Sequence, residues 1–142
     1  MYLNLVFHHM GIATKSIEKF ADIYCKLGYN MSDIRIEPTQ NVKICFLSKE
    51  GNPLLELVEP LNNETPVSNI VKNSGTTPYH MCYEVEDIQK SLEELEELNF
   101  RLLFEPLKSE AMDNGLFCYL FSVETGLVEL YQINTNNYIK PD

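Results

Sequence analysis

Positive charge is scarce in this 142-residue sequence: Arg35 and Arg101 are its only arginines, and 11 lysines and arginines stand against 21 aspartates and glutamates, for a formal net charge of -10. A field of that sign repels polyanions, which argues against nucleic acid as a partner and disfavours anionic substrates unless lysines cluster near the site. Long apolar runs are missing too. Nothing approaches the roughly 18 residues that a membrane helix needs, so no membrane partner is expected. Met1 to Phe7 lacks the basic start and apolar core of a secretory signal, and none is expected. Cys25, Cys45, Cys82 and Cys118 form no C-x-x-C pair. They read as reduced core residues in place of a disulfide framework, and the compartment expected is the cytoplasm.

What is present is a repeat. A hydrophobic fraction of 44% with 23% charged residues fits one globular domain over residues 1–142. Adding 71 to the numbering lays His9 on His80, Met10 on Met81, Ile17 on Ile88, Leu27 on Leu98 and Tyr29 on Phe100. Further along, an offset of 73 lays Cys45 on Cys118, Leu47 on Leu120, Glu56 on Glu129 and Leu57 on Leu130. Offsets so close mean one supersecondary unit written twice.

Each copy reads β-α-β-β-β. Leu3 to Thr14 is a first strand, and Ser16 caps a helix whose face carries Ile17, Phe20, Ala21, Tyr24 and Leu27 until Gly28 ends it. Tyr29 to Glu37 leads into a second strand, which Pro38 ends. Val42 to Lys49 and Leu54 to Val58 form a hairpin about Gly51-Asn52-Pro53. In the second copy the strands are His80 to Val85, Arg101 to Glu105, Leu116 to Val123 and Leu127 to Gln132, with Lys108 to Gly115 as a loop. Its helix follows Asp87 and carries Ile88, Leu92, Leu95 and Leu98 on its apolar face. The modules span about 3–60 and 78–132. The linker of about 61–77 can open a short helix at Thr65-Pro66. Neither module buries its sheet and helix alone, so the class expected is α+β: two βαβββ modules whose paired sheets form a cleft or half-barrel with helices outside.

Glu56 and Glu129 each interrupt an apolar strand, where alternation turns their neighbours to one face and the carboxylate to the other. A carboxylate so placed needs a hydrogen bond, an ion pair or a metal. The repeat supplies two such carboxylates and two histidines, His9 and His80. That set suits one divalent first-row metal ion (Zn, Ni, Co, Mn or Fe), with room for a small-molecule substrate. His8 competes with His9 for the first place, and the repeat register selects His9.

The chain resembles the vicinal-oxygen-chelate superfamily, which groups glyoxalases, bleomycin-resistance proteins and dioxygenases. The pattern is similar at His8-His9-Met10-Gly11-Ile12-Ala13, at Leu55 through Leu61, at Tyr79-His80-Met81 through Ile88, and at Leu127-Val128-Glu129-Leu130. Within it the sequence looks most like the methylmalonyl-CoA epimerase family, and its His-Glu-His-Glu order is also that of the lactoylglutathione lyase (glyoxalase I) family. The resemblance implies metal ligands at His9, Glu56, His80 and Glu129, and proton transfer beside a carbonyl through an enolate or enediolate that the metal stabilises. Glu129 or Glu56 would carry the proton, and a homodimer would be the assembly. Two places depart from the family pattern: Ile44 stands where some epimerases carry a further glutamate, and Gly115-Leu116 stands where many relatives carry a basic residue. Drug-sequestering members offer a second reading, a non-catalytic cleft for cationic ligands, which the charge of -10 favours. Lys15, Lys43, Arg101 and Lys108 are the candidate contacts for an anionic thioester or glutathione adduct.

Overall fold

The computed structural model describes residues 4–135, so Leu3 and residues 136–142 of the polar tail lie outside the described residues. The α+β class holds, with three α-helices and ten strands among the described residues. In the first copy these are β1 (Val6–Ala13), α1 (Ile17–Lys26), β2 (Asn30–Met31), β3 (Arg35–Glu37), β4 (Val42–Ser48) and β5 (Leu55–Pro60). After α2 (Pro66–Ser74), the second copy runs β6 (Thr77–Glu84), α3 (Ile88–Glu97), β7 (Arg101–Leu102), β8 (Leu107–Ser109), β9 (Gly115–Ser122) and β10 (Gly126–Gln132).

The second strand of each copy is two short pieces, not one run. β2 and β3 both pair with β4, and Ser32 between them explains the break: its hydroxyl accepts from the Phe46 amide at 2.8 Å, where a backbone carbonyl would stand in an unbroken ladder. In the second copy β7 and β8 both pair with β9, and Pro106, which has no N–H to give, lies in the gap. The expected loop of residues 108–115 therefore holds part of β8 and a 3-10 turn over Glu110–Met112.

The chain packs as two compact units, residues 8–81 and residues 4–7 with 82–135. Residues 61–77 belong to the first unit and are not a free linker, because α2 buries Val67 and Val71 beside β5. Thr65 and Ser68 cap α2 reciprocally, each accepting from the other's backbone amide.

In the first unit the strand order is β2-β4-β5-β1, with β1 and β5 parallel and β4 and β5 antiparallel. Ile17 and Ala21 of α1 are buried against Ile12, Cys45, Leu47 and Leu57. In the second unit the order β10-β9-β7, with residues 82–84 of β6 beside β10, repeats the pattern, and Ile88, Leu92 and Leu95 of α3 pack on Cys118, Leu120 and Leu130. Each unit thus covers one sheet face with its helix. The opposite face carries the polar residues singled out above.

Helix placement is fixed alike in both copies. Ser16 and Asp87 accept from the amides of Lys19 and Lys90, and the Ile17 and Ile88 amides donate at 2.8 Å to Glu59 and Gln132 from the last strand of each copy. Caps of this kind contribute about 1 kcal/mol each. Both helices end at a left-handed residue, Gly28 (φ 99°) and Asn99 (φ 67°), 71 apart like the histidines. Leu27 and Leu98, expected on the apolar faces, are exposed, because each is the C-cap where helical spacing has already stopped.

Candidate metal centre

β5 places Glu56. Leu57 turns into the helix-covered core and is fully buried, so alternation sends Glu56 to the other face, where it is only 4% exposed. In the parallel pairing of β1 with β5, Gly11 lies beside Glu56, which puts His9, two residues earlier, on the same face. His80 reaches that face from β6. Its imidazole lies over Gly11 so closely that a Cβ there would occupy the ring's own space.

Three side-chain atoms meet there. His9 Nε2 is 3.3 Å from His80 Nε2, His9 Nε2 is 3.4 Å from Glu56 Oε1, and His80 Nε2 is 3.6 Å from the same oxygen. All three residues are buried. A first-row ion binds such atoms at about 2.0–2.2 Å, so neighbouring ligand atoms are separated by about 3.0 Å at right angles and about 3.4 Å in a tetrahedron. The triangle has the dimensions of the edges around one ion, and its two imidazole nitrogens and one carboxyl oxygen are donors suited to a divalent transition metal.

The rim is aromatic. Phe46, directly across from Glu56 in the β4–β5 register, meets the His9 ring edge-on at 5.6 Å. His8 turns its Nδ1 to within 2.8 Å of His9 Nδ1.

Glu129 belongs to the other unit. On β10 it repeats the placement of Glu56: Leu130 beside it is fully buried under α3, Glu129 is 2% exposed on the opposite face, and Tyr119 stands across from it as Phe46 does from Glu56. Tyr131 shares that face and donates from its hydroxyl to the Met112 carbonyl at 3.0 Å. Burial pushes its phenol up to about 12, so it stays a neutral donor at ordinary pH. The Tyr131 ring also explains Gly115: a Cβ there would run into that ring.

Of the candidate cations, Lys43 is already engaged. Its ammonium lies 2.9 Å from Glu59, whose other oxygen accepts from Ile17, so the pair serves the α1 attachment. Arg35 pairs with Ile44 in the β3–β4 register, which puts it on the Glu56 face instead. Glu37 joins it there through its pairing with Val42, and it is 1% exposed. Sequence reading passed over both. Arg35-Ile36-Glu37 alternates as a surface strand does, and only register tells which face is covered.

All four cysteines are free thiols, and Cys45, Cys82 and Cys118 are buried as expected. Cys25 is not a core residue: it lies on the exposed side of α1. Burial raises the thiols of Cys45 and Cys118, the latter to about 12, which keeps them protonated and poor ligands. No helix among the described residues is long and apolar enough to cross a membrane.

The sequence profile of the Glyoxalase/Bleomycin resistance protein/Dioxygenase superfamily matches residues 8–119. The chain is 31% identical to the mitochondrial methylmalonyl-CoA epimerase of Homo sapiens over 129 residues, which is 88% of this chain and 72% of that protein. It is 32% identical to an ethylmalonyl-CoA/methylmalonyl-CoA epimerase of Cereibacter sphaeroides over 130 residues, 89% of this chain and 96% of the relative. In fold it is similar to a methylmalonyl-CoA epimerase from Mycobacterium tuberculosis, with a TM-score of 0.82 at 19% identity, covering 94% of this chain and 93% of the other.

Proposed function

Because the chain belongs to the glyoxalase/bleomycin resistance protein/dioxygenase superfamily, we propose that it is a metal-dependent epimerase acting on methylmalonyl-CoA or a closely related acyl-CoA thioester. The observation that carries this reading is the buried triangle of His9, His80 and Glu56. A site for sequestering cationic drugs has no need of two buried imidazoles turned to one point. Lactoylglutathione lyase would use the same donors, but the relatives above 30% identity carry epimerase names.

His9, His80 and Glu56 hold the ion in this reading, with Glu129 as fourth ligand, supported by its burial and by the repeat that equates it with Glu56. When bound, the ion supplies a Lewis acid to the substrate carbonyl and to the negative charge that develops beside it. Every other task falls to the chain. Phe46, across from Glu56 and edge-on to His9, excludes water from the reacting carbon. Glu129 is proposed as the carboxylate that removes the proton next to the carbonyl. Inversion requires return to the opposite face of that carbon. The repeat offers a second carboxyl group, Glu56, which would make that delivery from its protonated form, leaving Glu129 protonated and Glu56 as the carboxylate for the reverse direction. The assembly proposed is a homodimer, checked by light scattering as the mass of two chains, and the compartment proposed is the cytoplasm.

The test is metal analysis followed by reaction of the metal-loaded protein with methylmalonyl-CoA in deuterated water. About one divalent ion per chain and entry of deuterium at the carbon between the two carbonyls are expected. His80→Ala removes one of few ligands and is expected to lose the ion. Full metal content in His80→Ala would move the site elsewhere, and a wild type that holds metal but exchanges no proton would rule out this substrate class.

A further inference from the structure

We infer that His8 is a positioning residue that fixes the tautomer of His9, keeping the His9 proton on Nδ1 and leaving Nε2 free to ligate. The inference rests on the metal-site reading above, and it concerns a ring contact beside the triangle to which the proposed mechanism gives no role. His8 Nδ1 and His9 Nδ1 are 2.8 Å apart, a hydrogen-bond distance, so one nitrogen of that pair carries hydrogen and the other accepts. The rings meet edge-on at 78°, with centroids 5.1 Å apart. Phe46 packs edge-on against both of them, which holds the pair in place.

Two arrangements satisfy the contact, and they have opposite consequences at the other end of His9. If His8 donates, a neutral His9 carries its proton on Nε2, aimed at Glu56 and His80, and that nitrogen has no lone pair to offer a metal. If His9 donates, its proton sits on Nδ1 and the Nε2 lone pair points into the triangle. A ligating imidazole is generally oriented in this way through its second nitrogen, usually by a carboxylate or a backbone carbonyl. In this chain a second imidazole does it. His8 then carries its own proton on Nε2, away from the contact.

The experiment uses the full chain, ¹⁵N-labelled, with zinc as the probe. There are only three histidines, so long-range proton–nitrogen spectra of wild type, His8→Phe and His80→Asn assign every ring. The wild type without zinc is expected to show His9 with hydrogen on Nδ1. His8→Phe, which keeps a ring but removes the acceptor, is expected to shift His9 toward the other tautomer and to weaken zinc binding about 10- to 100-fold. His8→Asn restores an acceptor oxygen close to the lost nitrogen and is expected to recover both. A wild-type His9 with hydrogen on Nε2 overturns the inference, as does a His8→Phe protein with unchanged tautomer and zinc affinity, or a folded His8→Asn protein that behaves as His8→Phe does. Failure of wild type to bind zinc would instead defeat the metal reading, and the zinc-free spectrum would still decide the role of His8.

Discussion

Glu129→Gln is expected to slow deuterium entry into methylmalonyl-CoA by about 10²- to 10⁴-fold, the loss that follows from removing a positioned general base. The substitution is nearly isosteric, so the packing of Leu130 beside it and the aromatic pairing with Tyr119 are kept. An amide oxygen still serves as a ligand, so metal content should hold while exchange falls. That split distinguishes a proton carrier from a ligand alone. Loss of metal with exchange falling in proportion would make Glu129 a ligand only. Exchange at the wild-type rate with metal retained would transfer the base to Glu56, its repeat equivalent. Following each epimer separately sharpens the result: if the two carboxylates serve opposite faces of the carbon, Glu129→Gln should suppress exchange from one epimer more than from the other.

Gly11→Ala is the second change with a large expected effect, although Gly11 offers no ligand atom. Its missing side chain is the space that the His80 ring fills. A methyl group there forces the imidazole off the triangle, and zinc affinity is expected to fall by at least about 100-fold, beyond the loss usual for a second-layer contact. The fold should survive. Alanine is favoured over glycine in a strand by about 0.5–1 kcal/mol, which offsets part of the roughly 1–3 kcal/mol that crowding costs. Competition binding with a zinc chelator, alongside thermal unfolding, checks both halves of the expectation. Wild-type zinc affinity in a folded Gly11→Ala protein would show that His80 does not ligate from the position it holds.

The sequence by itself determined the elements that depend on near neighbours and the residues that depend on the repeat. Helix caps at Ser16, Thr65 and Asp87 were legible because a cap is decided within four residues. His9, Glu56 and His80 were legible because duplication marked them twice, and strand alternation gave the face of Glu56 without any tertiary knowledge. Tertiary structure decided what depends on pairing across the sheet. The break between β2 and β3 arises when the Ser32 hydroxyl takes the Phe46 amide, a partner 14 residues away that no local propensity names. Leu27 and Leu98 fit the helical period yet are exposed, since a period does not say where a C-cap falls. The space beside Gly11 is claimed only when β6 lays the His80 ring over it, which no feature of the first strand announces. Arg35 and Glu37 join the Glu56 face, and Lys43 is drawn to Glu59, through the register of β3, β4 and β5. Register is set by which faces bury together across the whole sheet. A one-residue slip would exchange the two faces, and for that reason His9, Glu56 and His80 could be singled out along the chain while their surroundings could not.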